Sequence, residues 1–140
     1  MKRNGFTLVE LLAALALTGI IIVLVFSVLQ TGIKQGESSK KDAFLQQEAQ
    51  LIANTIRNKH LKESAYQLEI KADEVLIDGK AISKSYIYKA EIVYENHIYV
   101  GERLQIDTKL PLELTLMIKK GEHAFTLRTL FARGISDEEK

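Results

Sequence analysis

The chain has 140 residues, a length typical of one domain, with a formal net charge of +1 and 26% charged residues. This balance gives no indication of nucleic acid or of an acidic substrate as a partner. Cysteine is absent, which excludes a disulfide framework and a thiolate metal site.

The N-terminal segment combines basic residues, one acid and a long apolar run. Lys2 and Arg3 precede Gly5, and no charge occurs in the run 11–29 that follows Glu10. About 20 apolar residues span a bilayer. Basic residues before such a span predict a cytoplasmic N-terminus and an extracytoplasmic C-terminal part. An acid at the start of a membrane-spanning helix is costly and needs a partner, so Glu10 is a functional candidate.

This segment resembles the class III signal of type IV prepilins and of the pseudopilins of type II secretion and competence systems. The family pattern is a short basic leader ending in Gly, then Phe-Thr-Leu-[Ile/Val]-Glu, then an apolar run; here Gly5 is followed by Phe6-Thr7-Leu8-Val9-Glu10. The resemblance implies that a prepilin peptidase/N-methyltransferase cleaves after Gly5 and methylates Phe6, the new N-terminus. We expect Glu10 to be the charge that directs assembly, by pairing with that terminal amine in a neighbouring subunit. The alternative is that Glu10 is solvated at the level of the lipid headgroups and only marks the start of the span.

Two other interpretations of the segment are an ordinary secretory signal peptide and a plain transmembrane anchor. A signal peptide has a shorter apolar core of about 7–15 residues and an A-x-A-like cleavage site, which residues 27–32 do not offer. A plain anchor fits the length but gives no reason for the Gly-Phe-Thr-Leu-Val-Glu motif. We therefore favour the prepilin signal.

Helical periodicity returns after the apolar run. An apolar stripe at steps of four, three and four residues consists of Leu45, Ala49, Ile52 and Ile56. The pattern predicts a leader at residues 1–5 and then one long helix. Its first part, residues 6–30, is the predicted transmembrane and assembly helix, and its amphipathic continuation, residues 31–60, carries the stripe that packs on a globular head.

From Tyr66 the apolar period changes to two, which predicts antiparallel strands. Strands are predicted at 66–70, 75–77, 86–94, 98–100, 104–107, 112–118 and 125–131, and turns at Asp78-Gly79, Glu95-Asn96-His97 and Lys119-Lys120-Gly121-Glu122. The predicted fold class is α+β, with the long N-terminal helix packed on a small antiparallel β-sheet head at residues 61–135. We expect the strands to form a single meander and residues 136–140 to form a tail.

The polar residues give few indications of chemistry. Three histidines fit no metal-ligand spacing and are interpreted as solvated or hydrogen-bonding: His60, His97 and His123. Asp73, Glu74 and Asp78 lack the spacing of an EF-hand, so Asp78-Gly79 is interpreted as a turn. No catalytic or phosphate-binding motif is present, and we predict no enzyme activity, no cofactor and no metal site.

The basic residues of the head are interspersed with acidic ones, which favours a solvated surface over a DNA-facing patch. They are Lys80, Lys84, Lys89, Lys119, Lys120, Arg128 and Arg133. A row of tyrosines, which we interpret as core rather than as a platform for stacking bases, consists of Tyr86, Tyr88 and Tyr94.

We therefore predict a type IV pilin-like subunit, a minor pilin or pseudopilin of a pilus or competence pseudopilus. It would lie in the cell membrane and then in a filament on the cell surface. Its expected partners are the prepilin peptidase/N-methyltransferase, other pilin subunits through the N-terminal helix, the membrane, and the pilus assembly platform and motor. The alternatives are a type II secretion pseudopilin that drives protein export and an anchored surface domain outside any filament.

Overall fold

The computed structural model describes residues 7–133. One helix, α1 (Leu8–Lys62), is followed by β1 (Ala65–Ile70), β2 (Glu74–Ile77), β3 (Lys80–Lys84), β4 (Ile87–Tyr94), β5 (His97–Tyr99), β6 (Arg103–Asp107), β7 (Leu112–Lys120) and β8 (His123–Phe131). The chain divides into two compact units between Lys40 and Lys41. The described part of the second unit, residues 41–133, is called the head below. The predicted α+β class is confirmed.

The N-terminal part of α1 starts at a capping residue and is apolar on all sides. The backbone N–H of Glu10 donates to Oγ1 of Thr7 at 3.3 Å, which is the bond expected of an N-cap. The large apolar side chains between Leu8 and Ile33 are exposed. By length and composition this stretch can cross a membrane.

The strands form two four-stranded antiparallel sheets. Sheet A has the order β3-β2-β1-β6, and sheet B has the order β5-β4-β7-β8. In sheet A, Leu68 of β1 pairs with Leu104 of β6, and in sheet B, Tyr88 of β4 pairs with Ile118 of β7. Because these pairings join strands that are not consecutive in the chain, the head is not the single meander that we expected.

One strand was not predicted from the sequence. β3 (Lys80–Lys84) forms a hairpin with β2 through the turn at Asp78-Gly79, both of which have positive φ angles of 51° and 74°. Only Ser83 of this strand is buried, and its hydroxyl is hydrogen-bonded to Glu48 of α1 and to Tyr88 of β4. A strand that buries a polar residue lacks the apolar alternation by which strands are recognised.

The core of the head lies between α1 and the two sheets. The predicted helical stripe is at most 2% exposed and consists of Leu45, Ala49, Ile52 and Ile56. The sheets contribute buried residues at every second position, as in Leu112, Leu114, Leu116 and Ile118 of β7. The interpretation of the tyrosine row as core is confirmed for Tyr88 and Tyr94, and Tyr86 is half-buried at its edge.

Candidate functional site

Of the residues predicted to act in processing and assembly, only Glu10 lies in the described part of the chain. Gly5 and Phe6, the predicted cleavage site and methylated residue, lie outside the described residues. Glu10 is exposed in the first turn of α1. A negative charge is favourable there because the backbone N–H groups give the N-terminal end of a helix a partial positive charge.

The surroundings of Glu10 supply no opposite charge along its own helix. Every residue from Leu11 to Ile33 is uncharged, and the next charged residue is Lys34, 24 positions farther on. At 1.5 Å per residue this places Lys34 about 36 Å away along the helix. No positive charge of α1 therefore lies near Glu10. A carboxylate in apolar surroundings requires a compensating charge.

The three histidines lie apart, and each makes its own contact. Nδ1 of His60 is 3.3 Å from the hydroxyl of Tyr66, and Nδ1 of His97 is 2.8 Å from the carbonyl oxygen of Glu95. Nδ1 of His123 is 2.8 Å from Oδ1 of Asp42. Among residues 7–133, no three His, Asp or Glu side chains are grouped in a way that could hold a metal ion.

The Asp78-Gly79 turn is confirmed, and it connects the β2–β3 hairpin to α1. Oδ2 of Asp78 accepts a hydrogen bond from Nζ of Lys59 at 2.8 Å, and Oδ1 accepts one from the backbone N–H of Gln67 at 2.9 Å. The Lys59 ammonium and the Gln67 amide hold the pKa of Asp78 below its usual value. The sequence did not indicate the Lys59–Asp78 contact, because the two residues are 19 positions apart.

Three of the basic residues of the head make contacts with other residues of the head. Nζ of Lys120 lies 5.0 Å from the ring centroid of Tyr86, and the guanidinium of Arg128 is paired with Glu113. Nη2 of Arg133 donates to the carbonyl oxygen of Leu61 at 3.1 Å.

A groove runs along α1 in the head, and sequence reasoning missed it. Its wider part, about 580 Å³, is lined by Lys41, Phe44, Leu45, Tyr86 and residues 120–123 of the β7–β8 turn. A second part, about 430 Å³, shares Phe44 and Tyr86 and extends past Leu51. Phe44 and Leu51 are 61% and 52% exposed, although both are large and apolar. We call this surface the α1 groove.

The α1 groove was overlooked because Phe44 and Leu51 each precede a residue of the buried stripe, Leu45 and Ile52. Phe44 and Leu51 are seven residues apart, which is two helical turns, so they lie on the same side of α1. This spacing is the sequence signal that indicates a second apolar face of the helix.

Comparison with known families agrees with the N-terminal motif. Residues 1–26 match the family described as prokaryotic N-terminal methylation motif. The match includes Gly5, Phe6 and Glu10, and it supports the class III signal of type IV pilins and pseudopilins. Neither the comparison with curated proteins nor the comparison with solved structures gave a match.

The motif and the helix that follows it agree in what they imply. The motif implies processing by a prepilin peptidase and assembly in the manner of a pilin. The exposed apolar stretch of α1 fits a membrane-anchored protein of this kind. The N-terminal segment therefore has the features of the class III signal found in type IV pilins and pseudopilins.

Proposed function

We propose that the protein is a non-enzymatic pilin-like subunit of a type IV pilus or competence pseudopilus. The observation that carries this proposal is the methylation motif at residues 1–26, which leads directly into an apolar helix with Glu10 as its one charge before Lys34. The proposal includes both abundant and minor subunits. Pseudopilins of type II secretion carry the same signal. Identification of the adjacent genes would distinguish a pilus or competence system from a secretion system.

In the proposed mechanism, the precursor is held in the membrane with Lys2 and Arg3 on the cytoplasmic side and the head outside. Cleavage after Gly5 creates a positive amine at Phe6, one helical turn before Glu10. Within one helix the pair is geometrically poor, because the amine lies at the free end of the first turn. Between neighbouring subunits offset along a filament, the carboxylate of one meets the amine of the next.

This charge pair matters because apolar contact alone does not favour the filament over the membrane as the location of α1. Lipid tails are as apolar as the helices, so the transfer of α1 from lipid to a helix bundle gives little hydrophobic free energy. Packing and the pairing of Glu10 must then direct assembly. Loss of one partner of a buried ion pair typically costs about 3–5 kcal/mol, which is enough to exclude a subunit from the filament.

Processing is tested by mass spectrometry of the protein extracted from membranes of cells that contain a prepilin peptidase. We expect a mature chain that begins at methylated Phe6. A Gly5→Leu variant should keep the leader, whereas Gly32→Leu, the same change within α1, should be cleaved normally. An intact Met1 terminus on the unchanged protein in these cells would contradict the proposal.

Assembly is tested with Glu10→Leu. We expect the variant to be inserted and cleaved but absent from sheared surface filaments, because the amine of the neighbouring subunit is left unpaired. Glu37→Leu is the matched control, since it removes an exposed acid of the same helix. Normal incorporation of the Glu10→Leu protein would favour an anchored surface domain outside any filament.

A further inference from the structure

A second exposed apolar surface lies on the head, separate from the α1 groove. Ile98 of β5 and Val100 just after it are both 66% exposed. They lie within residues 95–102, a short edge strand with its two flanking turns, which we call the β5 patch. Exposed apolar residues that adjoin one another on a surface indicate a site of contact with another molecule.

The β5 patch and the α1 groove cannot meet within one chain. β5 pairs with residues 92–94 at the end of β4, whereas Tyr86 of the groove immediately precedes the first residue of that strand, Ile87. The five positions between Ile87 and Ile92 correspond to about 17 Å at 3.3–3.4 Å per residue. The two surfaces therefore lie toward opposite ends of sheet B.

Two lysines of the groove and two acids of the β5 patch carry opposite charges that are not paired within residues 7–133. Lys41 and Lys120 line the groove, and neither forms an ion pair with another residue between 7 and 133. Two acids line the groove as well, Glu122 and Glu48, and the second of these is hydrogen-bonded to Ser83. The β5 patch begins and ends with acids, Glu95 and Glu102, whose side chains have no ion-pair partner in the described part of the chain.

We propose that the β5 patch of one copy of this chain docks in the α1 groove of a second copy. Ile98 and Val100 would cover Phe44 and Tyr86, and the flanking acids would approach Lys41 and Lys120. Two different surfaces meet in this contact, so it can repeat from copy to copy, and in a filament it would continue as an open row. The inference rests on the proposed function, and it names the head contact that acts beside the N-terminal helices.

Disulfide cross-linking tests this contact directly, because the chain has no cysteine of its own. Val100→Cys and Glu122→Cys place one thiol in the β5 patch and one beside the groove. A disulfide requires Cα atoms within about 7 Å, so these two residues cannot be bridged within one chain. On oxidation of cells that make the full-length variant, we expect a ladder of linked dimers, trimers and longer species.

The controls identify the kind of contact. Either single-cysteine variant alone should give no ladder, and the two expressed together should give only dimers. Val100→Cys with Leu130→Cys should remain monomeric, because Leu130 is equally exposed but lies on β8, outside the groove. A double variant of the first pair that stops at dimers would contradict a repeating contact.

Charge reversal tests the complementarity. Lys41→Glu with Lys120→Glu should lower the cross-linked fraction about threefold to tenfold, the factor expected from the loss of two exposed charge pairs. Glu95→Lys with Glu102→Lys in the same chain should restore it. A ladder that is unaffected by both changes would contradict the proposed orientation of the charges.

Failure of the proposed head contact can be distinguished from failure of the proposed function. If the double-cysteine chain is processed and present in sheared filaments but gives no ladder, the head contact is wrong and the proposed function stands. If the unchanged protein is absent from filaments, the proposed function itself is contradicted.

Discussion

His60, in the last turn of α1, is 1% exposed and lies between the rings of Tyr66 and Phe131. Burial raises the pKa of Tyr66, so its hydroxyl stays protonated and can donate to Nδ1 of His60. The ring proton then lies on Nε2, which has no hydrogen-bond partner among the described residues. Burial, and next the guanidinium of Arg133, lower the pKa of His60, so the ring is neutral in the folded head.

This burial predicts that the head loses stability in mild acid. His60 binds a proton in the unfolded chain near pH 6.5 and in the folded head only at lower pH. Its contribution is therefore fully present above pH 6.5 and decreases as the pH falls from there toward the folded pKa. The slope for one proton is at most about 1.4 kcal/mol per pH unit.

The measurement is urea unfolding, followed by circular dichroism, of a fragment that begins at Thr31, between pH 7.5 and 5.0. Charged groups near the ring are Arg57 and Arg133, which keep their charge over this range. A His60→Phe variant should show a flatter dependence of the free energy of unfolding on pH. An equally steep dependence in both proteins would show that His60 is not the group responsible.

At the scale of the element, α1 serves two environments with two patterns of apolar residues. Up to Ile33 the apolar residues surround the helix, which is the pattern of a helix in lipid or in a helix bundle. In the head, only one stripe is buried, and Ile52 lies at its centre with no exposed surface. This difference predicts that neighbouring residues of α1 contribute very differently to stability.

Ile52→Ala should lower the free energy of unfolding of the Thr31 fragment by about 2–5 kcal/mol, the usual range for truncation of a buried aliphatic residue. Leu51→Ala is the matched control, because Leu51 is next in sequence and half exposed. Its effect should be within about 0.5 kcal/mol. Urea unfolding measures both values, and equal losses would contradict the position of the stripe in the core.

For the whole molecule, neither sheet of the head is covered without the helix. The inner faces of β1 and β7 are buried together with the α1 stripe in one hydrophobic core. Removal of α1 would expose alternate apolar residues along both sheets. A domain of this size without a disulfide has a small free energy of unfolding, so this loss of buried area would unfold it. We therefore expect the two sheets to need the C-terminal part of α1 in order to fold.

Two fragments test this dependence. A fragment that begins at Thr31 should be soluble and should unfold cooperatively, because it keeps the stripe and omits most of the apolar run. A fragment that begins at Lys62 should be unfolded or aggregated. Size-exclusion chromatography and thermal unfolding compare the two, and equal midpoints would show that the helix does not complete the core.

Sequence alone was sufficient where the determining physics is local. The motif around Gly5 and Glu10 is contiguous, and the length of the apolar run corresponds to a bilayer. The periods of 3.6 and two residues report which side of a helix or strand is apolar, so the stripe at Leu45–Ile56 and seven of the eight described strands were predictable. The turn at Asp78-Gly79 follows from the conformations these two residue types accept.

Only the tertiary structure decided which distant segments meet. The pairings β1–β6 and β4–β7 join strands that are not consecutive, and β3 is held by the contact of Ser83 with Glu48 and Tyr88. The burial of His60 and the α1 groove likewise depend on what packs beside the helix. An apolar pattern predicts that a face is covered but does not predict which segment covers it. The reason is that the free energy of burial depends on the apolar area buried and not on sequence separation.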